Sequence, residues 1–198
     1  MTIRGLEVLA LLLAIPAATI AQTPDALDWQ GKLKFHIDSS YGPSALLGLA
    51  AYAAVLQEAR SPDEWGEGGS AYGKRVASMA GWAGVHTALA FGLDSTLHQD
   101  PRYFRSGGEG VWRRMGHALR GTLLTRTDKG GETISTWRIG SAYGSAFLSN
   151  LWYPDRLDNV KLGLTQGSVS MGFGLASNLA LEFWPDVKRK VFHRKVAP

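Results

Sequence analysis

Four stretches of this chain carry no charged side chain at all: Tyr41–Gln57, Val76–Leu93, Ile139–Pro154 and Leu162–Leu181. Small residues recur in them at every fourth position. Ala80, Gly84, Ala88 and Gly92 form one series, and Gly140 and Gly144, beside Ser141, Ser145 and Ser149, form another. Ser168, Gly172, Ala176 and Ala180 form the third. Positions four apart share one face of a helix, so the spacing predicts helices with flat stripes that let two backbones approach closely. Interior glycine costs ~0.8–1 kcal/mol against alanine, and packing between helices has to offset that. The expected fold class is all-α, a compact bundle of about five helices joined through small-residue stripes. Gly108–Leu124 supplies the fifth helix, and Pro185–Val191 a short further one with proline in its first turn. A strand competes at Val169, Met171, Phe173 and Leu175, which alternate with polar or small residues. A membrane β-barrel needs alternating runs of ~10 residues throughout, and here only Val160–Leu164 adds another.

Punctuation separates the segments. Ser61-Pro62-Asp63-Glu64-Trp65-Gly66-Glu67-Gly68-Gly69 reads as a loop, Asp100-Pro101 as a helix stop, and Thr127-Asp128-Lys129-Gly130-Gly131 as a turn. At 198 residues the length fits a single domain. Residues 42–198 are expected to form one helical domain with a basic tail, and 22–41, polar and mixed, a flexible lead-in. The absence of cysteine excludes a disulfide scaffold, a thiolate zinc site and cysteine catalysis.

Residues 1–21 have the features of a secretory signal peptide. Arg4 precedes the apolar run Val8–Ile15, and Thr19-Ile20-Ala21 offers a cleavage site before Gln22. Eight apolar residues fall short of the ~20 that span a bilayer. The charge-free stretches are themselves of borderline length. Were all four to span, most Lys and Arg would lie on the exported side, against the positive-inside rule. The expected location is therefore exported: the periplasm, or the membrane-associated part of the cell envelope.

Motifs with chemical meaning are few. Gly68–Gly73 before Lys74 has phosphate-loop spacing, but Arg75 stands where a magnesium-binding hydroxyl is needed. Gly172-Phe173-Gly174 lies inside a helical stretch and does not open one. Asp94 and His98 are spaced i, i+4 and, with His117, form a candidate metal set; Asp100 and Glu109 lie nearby. His86 sits in an apolar helix and is expected to be a satisfied core residue. No Gly-Xaa-Ser-Xaa-Gly elbow supports serine catalysis, and no cofactor is implied.

Basic and aromatic residues are more individual. Arg102 and Arg105 flank Tyr103 and Phe104, an arrangement suited to an anion site or to a structural staple. In the next helix Val111, Trp112, Met115, Ala118, Leu119, Thr122 and Leu123 make one stripe, with Arg113, Arg114, His117 and Arg120 opposite. Such a helix can lie on anionic lipid, or cover a core as an ordinary surface helix. Arg102, Tyr103, Arg105, Trp112, Arg113, Arg114 and Arg120 are thus the candidate anion or lipid contacts. Lys188, Arg189, Lys190, Arg194 and Lys195 repeat the basic theme. The expected partners are an anionic membrane surface or an envelope protein, or a second copy through the small-residue faces. Export argues against nucleic acid.

Taken together, Glu64-Trp65-Gly66-Glu67-Gly68, Ala71-Tyr72-Gly73-Lys74-Arg75, Leu97-His98-Gln99-Asp100-Pro101-Arg102-Tyr103-Phe104-Arg105, Arg126-Thr127-Asp128, Ser149-Asn150-Leu151-Trp152-Tyr153-Pro154 and Glu182-Phe183-Trp184-Pro185-Asp186 resemble a group of uncharacterised exported bacterial envelope proteins. That resemblance covers roughly residues 60–190. It implies export and helices, and carries no catalytic residue with it. The function expected is that of a non-enzymatic helical envelope protein, associated with a membrane or partner. The alternative is a metal-dependent or other hydrolase using Asp94, His98, Asp100 and His117.

Overall fold

The computed structural model describes residues 25–192; the expected signal peptide and the end of the basic tail lie outside them. Six α-helices follow one another among the described residues: α1 (Trp29–Tyr41), α2 (Pro43–Glu58), α3 (Gly68–Thr96), α4 (Val111–Leu123), α5 (Thr136–Ser149) and α6 (Val160–Phe192). Two three-residue strands, β1 (Leu124–Arg126) and β2 (Glu132–Ile134), pair antiparallel across the predicted turn, with Thr125 opposite Thr133. The fold is an all-α bundle with this one small hairpin among its described residues.

The 29-residue α3 is the axis of the bundle, ~45 Å long at 1.5 Å per residue. α1, α2 and α5 pack along it, α6 packs on α5, and α4 on the far part of α6. The α3–α5 contact uses the predicted α5 stripe. Ser141, Ala142, Ser145, Ala146 and Ser149 are buried, and a Cβ on Gly140 would come within 2.6 Å of Leu93.

The other two stripes are displaced. On α3 the buried face is Ala71, Arg75, Ser78, Ala83, Thr87, Ala90 and Asp94. Gly92, in the expected series, has open space around it, and Gly84 meets only the Tyr41 hydroxyl. On α6 the contact runs through Gly163 and Gly167, which receive the rings of Phe147 and Tyr143, and on through Asn178 and Glu182; Gly172 is open. Both helices carry small residues on more than one face. Polar partners, absent from a count of small residues, choose between those faces.

Residues 29–41 are not a flexible lead-in. Asp28 caps α1 through its side chain. Lys32, His36 and Ser40, spaced i, i+4, i+8, meet Asp94 and Thr87 of α3. Polar ladders of this kind leave no hydrophobic periodicity, so a reading based on apolar stripes misses them. The separate helix expected at Pro185–Val191 is also corrected, because α6 runs through Pro185. Arg114 bonds Glu182 on one side of the proline and Asp186 on the other, holding the next turn on the same axis. Val169–Leu175 is helical, so the alternating set is split: Val169 and Phe173, four apart, are exposed, and Met171 and Leu175 are half-buried.

Candidate functional site

α4 is seated with the large residues of its apolar stripe outward, while Ala118 and Thr122, expected in the same stripe, are buried. Trp112 is 83% exposed, Val111 59% and Leu119 51%, and Met115, Leu123 and the hairpin residue Ile134 are exposed with them. What the helix turns inward is Arg114, Ala118 and Thr122. At ~100° per residue, the centre of the stripe lies about 90° from this inward flank. Arg113 and Arg120 lie about 120° from the stripe on its other side. The helix thus has three sectors: apolar, basic and docked.

The docked sector explains why the stripe faces out. Glu182 of α6 is fully buried and accepts from the Tyr103 hydroxyl at 2.8 Å, from the backbone amide and hydroxyl of Ser106, and from Arg114 Nε at 3.3 Å. Burial by itself would raise the Glu182 carboxyl; the bonds from Ser106, Tyr103 and Arg114 outweigh it and hold the group below the usual carboxylate range. The same burial, together with the Glu182 charge, pushes the Tyr103 hydroxyl well above its ordinary value. Arg114 also bonds the Glu182 carbonyl and Asp186, and its guanidinium lies 4.2 Å from the Phe183 ring centroid. Asn178 donates to Thr122 at 3.0 Å. Pulling these groups out of contact to bury the stripe would strand several charges, at ~3–5 kcal/mol for each broken buried pair. At the other end, Arg138 of α5 donates to the final carbonyls of α4, Gly121 and Thr122. Burial lowers the Arg138 guanidinium to about 10.

The remaining expected contacts divide. Arg102 is a staple: it forks onto Asp100, reaches the Asp25 carbonyl and lies over the Phe104 ring. Tyr103 is buried beneath α4, where a Cβ on Gly121 would strike its ring. Arg102, Tyr103 and Arg114 are therefore internal groups, not surface contacts. Arg105, Arg113 and Arg120 are exposed, Arg120 pairing with Glu132 at 2.5 Å.

The candidate metal or hydrolytic residues do not converge. Asp94 is buried against His36 Nε2 at 2.6 Å. His98 lies past the end of α3 with φ 51°, so the helical i, i+4 spacing to Asp94 is lost. It points to Asp128 at 3.7 Å. Asp100 is held by Arg102, and His117 Nε2 is bonded to the Phe104 carbonyl at 2.8 Å. No group of three such ligands comes together among the described residues. His86 contacts Ser141 Oγ at 3.2 Å and stacks on Trp82.

Sequence reasoning missed Glu182, Asp186, Lys32 and His36. Glu182 had a signal: it is the first charge after twenty uncharged residues, four before Asp186 on the same helix face. Comparison with family models, with curated proteins and with solved structures finds no match.

Proposed function

We propose that this chain is a non-enzymatic helical protein of the bacterial cell envelope that works in contact with membrane lipid. The observation that carries this reading is a reversal of the usual burial order. Among the described residues no Leu, Ile, Val, Met or Phe is buried, whereas Lys32, His36, Arg75, Asp94, Asp100 and Glu182 are. In a water-surrounded domain the large aliphatic residues are the ones most often inside. Helices that meet through Ala, Ser and Gly, bond polar groups between themselves and turn Leu and Val outward are built for an apolar surround.

Leu46 and Leu47 on α2, Leu148 on α5, and Leu164 and Val169 on α6 all face out. Each large side chain of this kind gains ~1.5–3 kcal/mol on leaving water. Among the described helices, α3 has the length and composition to cross a bilayer. The hydrolase reading has less support, since its residues sit in separate pairs.

Fractionation of the native host tests the reading. The protein is expected in the membrane pool, resistant to salt and released by detergent. Recovery in the soluble pool overturns it.

A further inference from the structure

We propose that α4 and the hairpin beside it lie in the headgroup layer of an anionic membrane, with the outward stripe in the acyl boundary and Arg113 and Arg120 on lipid phosphates. This rests on the membrane-contact reading and adds to it the class of lipid and the residues that select it. Three observations point to anionic lipid as the occupant.

The first is the sector geometry. A helix lying in the interface needs an apolar stripe below and cations beside it at the level of the phosphates. α4 has both, and its third sector is taken by α6. A surface for an ordinary protein partner has no need of a basic flank set beside the stripe along the length of the helix.

The second is charge. On α4, the segment leading into it and the hairpin that follows, the exposed cations are Arg105, Arg113, Arg120, Arg126 and Lys129. The exposed carboxylates there are Glu109 and Glu132, the latter already paired with Arg120. Arg114 and Asp128 face inward and are neutralised by Asp186, Glu182 and Lys32. The surface is therefore net positive where the stripe is exposed, which complements phosphatidylglycerol-like headgroups.

The third is the aromatic anchor. Trp112, the most exposed large apolar residue described, stands at the first turn of α4. Its ring suits the boundary between headgroup and chain. The last turns of α6, which packs on α4, add exposed Val187 and Lys188, with the Lys188 ammonium 5.6 Å from the Trp184 ring. A cleft of about 320 Å³ is lined by Val111, Arg114, Phe183, Asp186 and Arg189 of the two helices.

The chain has no cysteine, so Trp112→Cys in the full chain can carry a single environment-sensitive fluorophore. The labelled protein is reconstituted into vesicles rich in phosphatidylglycerol, or into pure phosphatidylcholine. The expected result is a blue shift in the anionic vesicles, at most half as large in the neutral ones, and reduced by high salt through screening. Adding Arg113→Gln and Arg120→Gln should bring the anionic signal down to the neutral one, with an unchanged helical spectrum. Both arginines are exposed, and the change removes only the surface pair of Arg120 with Glu132. Equal emission in both vesicle types overturns the proposal, as does an anionic preference that survives the double change. If the host protein still fractionates with the membrane, such a result removes the anionic α4 contact alone; recovery in the soluble pool removes the membrane reading itself.

Discussion

Arg114 of α4 and Glu182 of α6 lie 68 positions apart and share two contacts, one to the Glu182 carboxylate and one to its main-chain carbonyl. The pair fixes α4 by its polar flank and leaves its apolar stripe outside. Replacing Glu182 by Ala strands Tyr103, Ser106 and Arg114, and should cost ~3 kcal/mol or more. Asp186→Asn, at a half-buried site with a second cation beside it, should cost much less. Thermal melting of both variants checks the order.

The Glu182 carboxyl also sets an acid limb. Its folded-state pKa lies below the unfolded value. The stability it contributes is fully present above the ordinary carboxylate pKa of ~4.3, and is lost as pH falls through the lower folded value. Urea titrations between neutral and acid pH should show this loss in the natural chain. In Glu182→Gln the slope over that window should be shallower.

Gly167 and Gly172 separate close packing from composition. A Cβ on Gly167 meets the Tyr143 ring, whereas Gly172 has nothing near it. Gly167→Ala should destabilise by ~1–3 kcal/mol. Gly172→Ala should be neutral or stabilise by up to ~1 kcal/mol, from helix propensity alone. Equal melting shifts would contradict the α5–α6 contact described above.

His36 and Asp94 form a buried pair that docks α1 on α3. Asp94→Ala should cost ~3–5 kcal/mol by leaving its partners unpaired. The double variant with His36→Ala should fall short of the sum of the single losses by ~0.5–3 kcal/mol. A strictly additive cycle would mean the contact contributes nothing to docking.

Arg75 is buried without a carboxylate. Its guanidinium donates to the carbonyls of Ser61, Pro62 and Gly66 and to Gln57 Oε1. A planar fork reaches four acceptors at once; an ammonium on a flexible stem does not. Arg75→Lys should lose ~1–3 kcal/mol and open residues 59–67 to limited proteolysis, read as earlier cleavage there.

Helices α2, α3, α5 and α6, the turn at Thr127–Gly131 and the small-residue contact of α5 were legible from the chain itself. Uncharged stretches and Gly-rich turns are local signals, and local signals specify element type. The amphipathic pattern of α4 was equally plain, but Arg114, expected beside Arg113 and Arg120, is turned inward onto Glu182.

The choice of face was not legible. α4 turns its stripe outward because Arg114 finds Glu182; α3 buries Thr87 and Asp94 because Ser40 and His36 meet them across more than forty residues. α1 exists as a docked helix for the same reason. The sequence by itself determined that the uncharged stretches are helices, since propensity and charge spacing act over one or two turns; α3 nevertheless starts at Gly68, inside the expected loop, and α6 runs past Pro185 to Phe192. Only the tertiary structure decided which side of each helix is inside, because a buried charge goes wherever a distant partner can neutralise it.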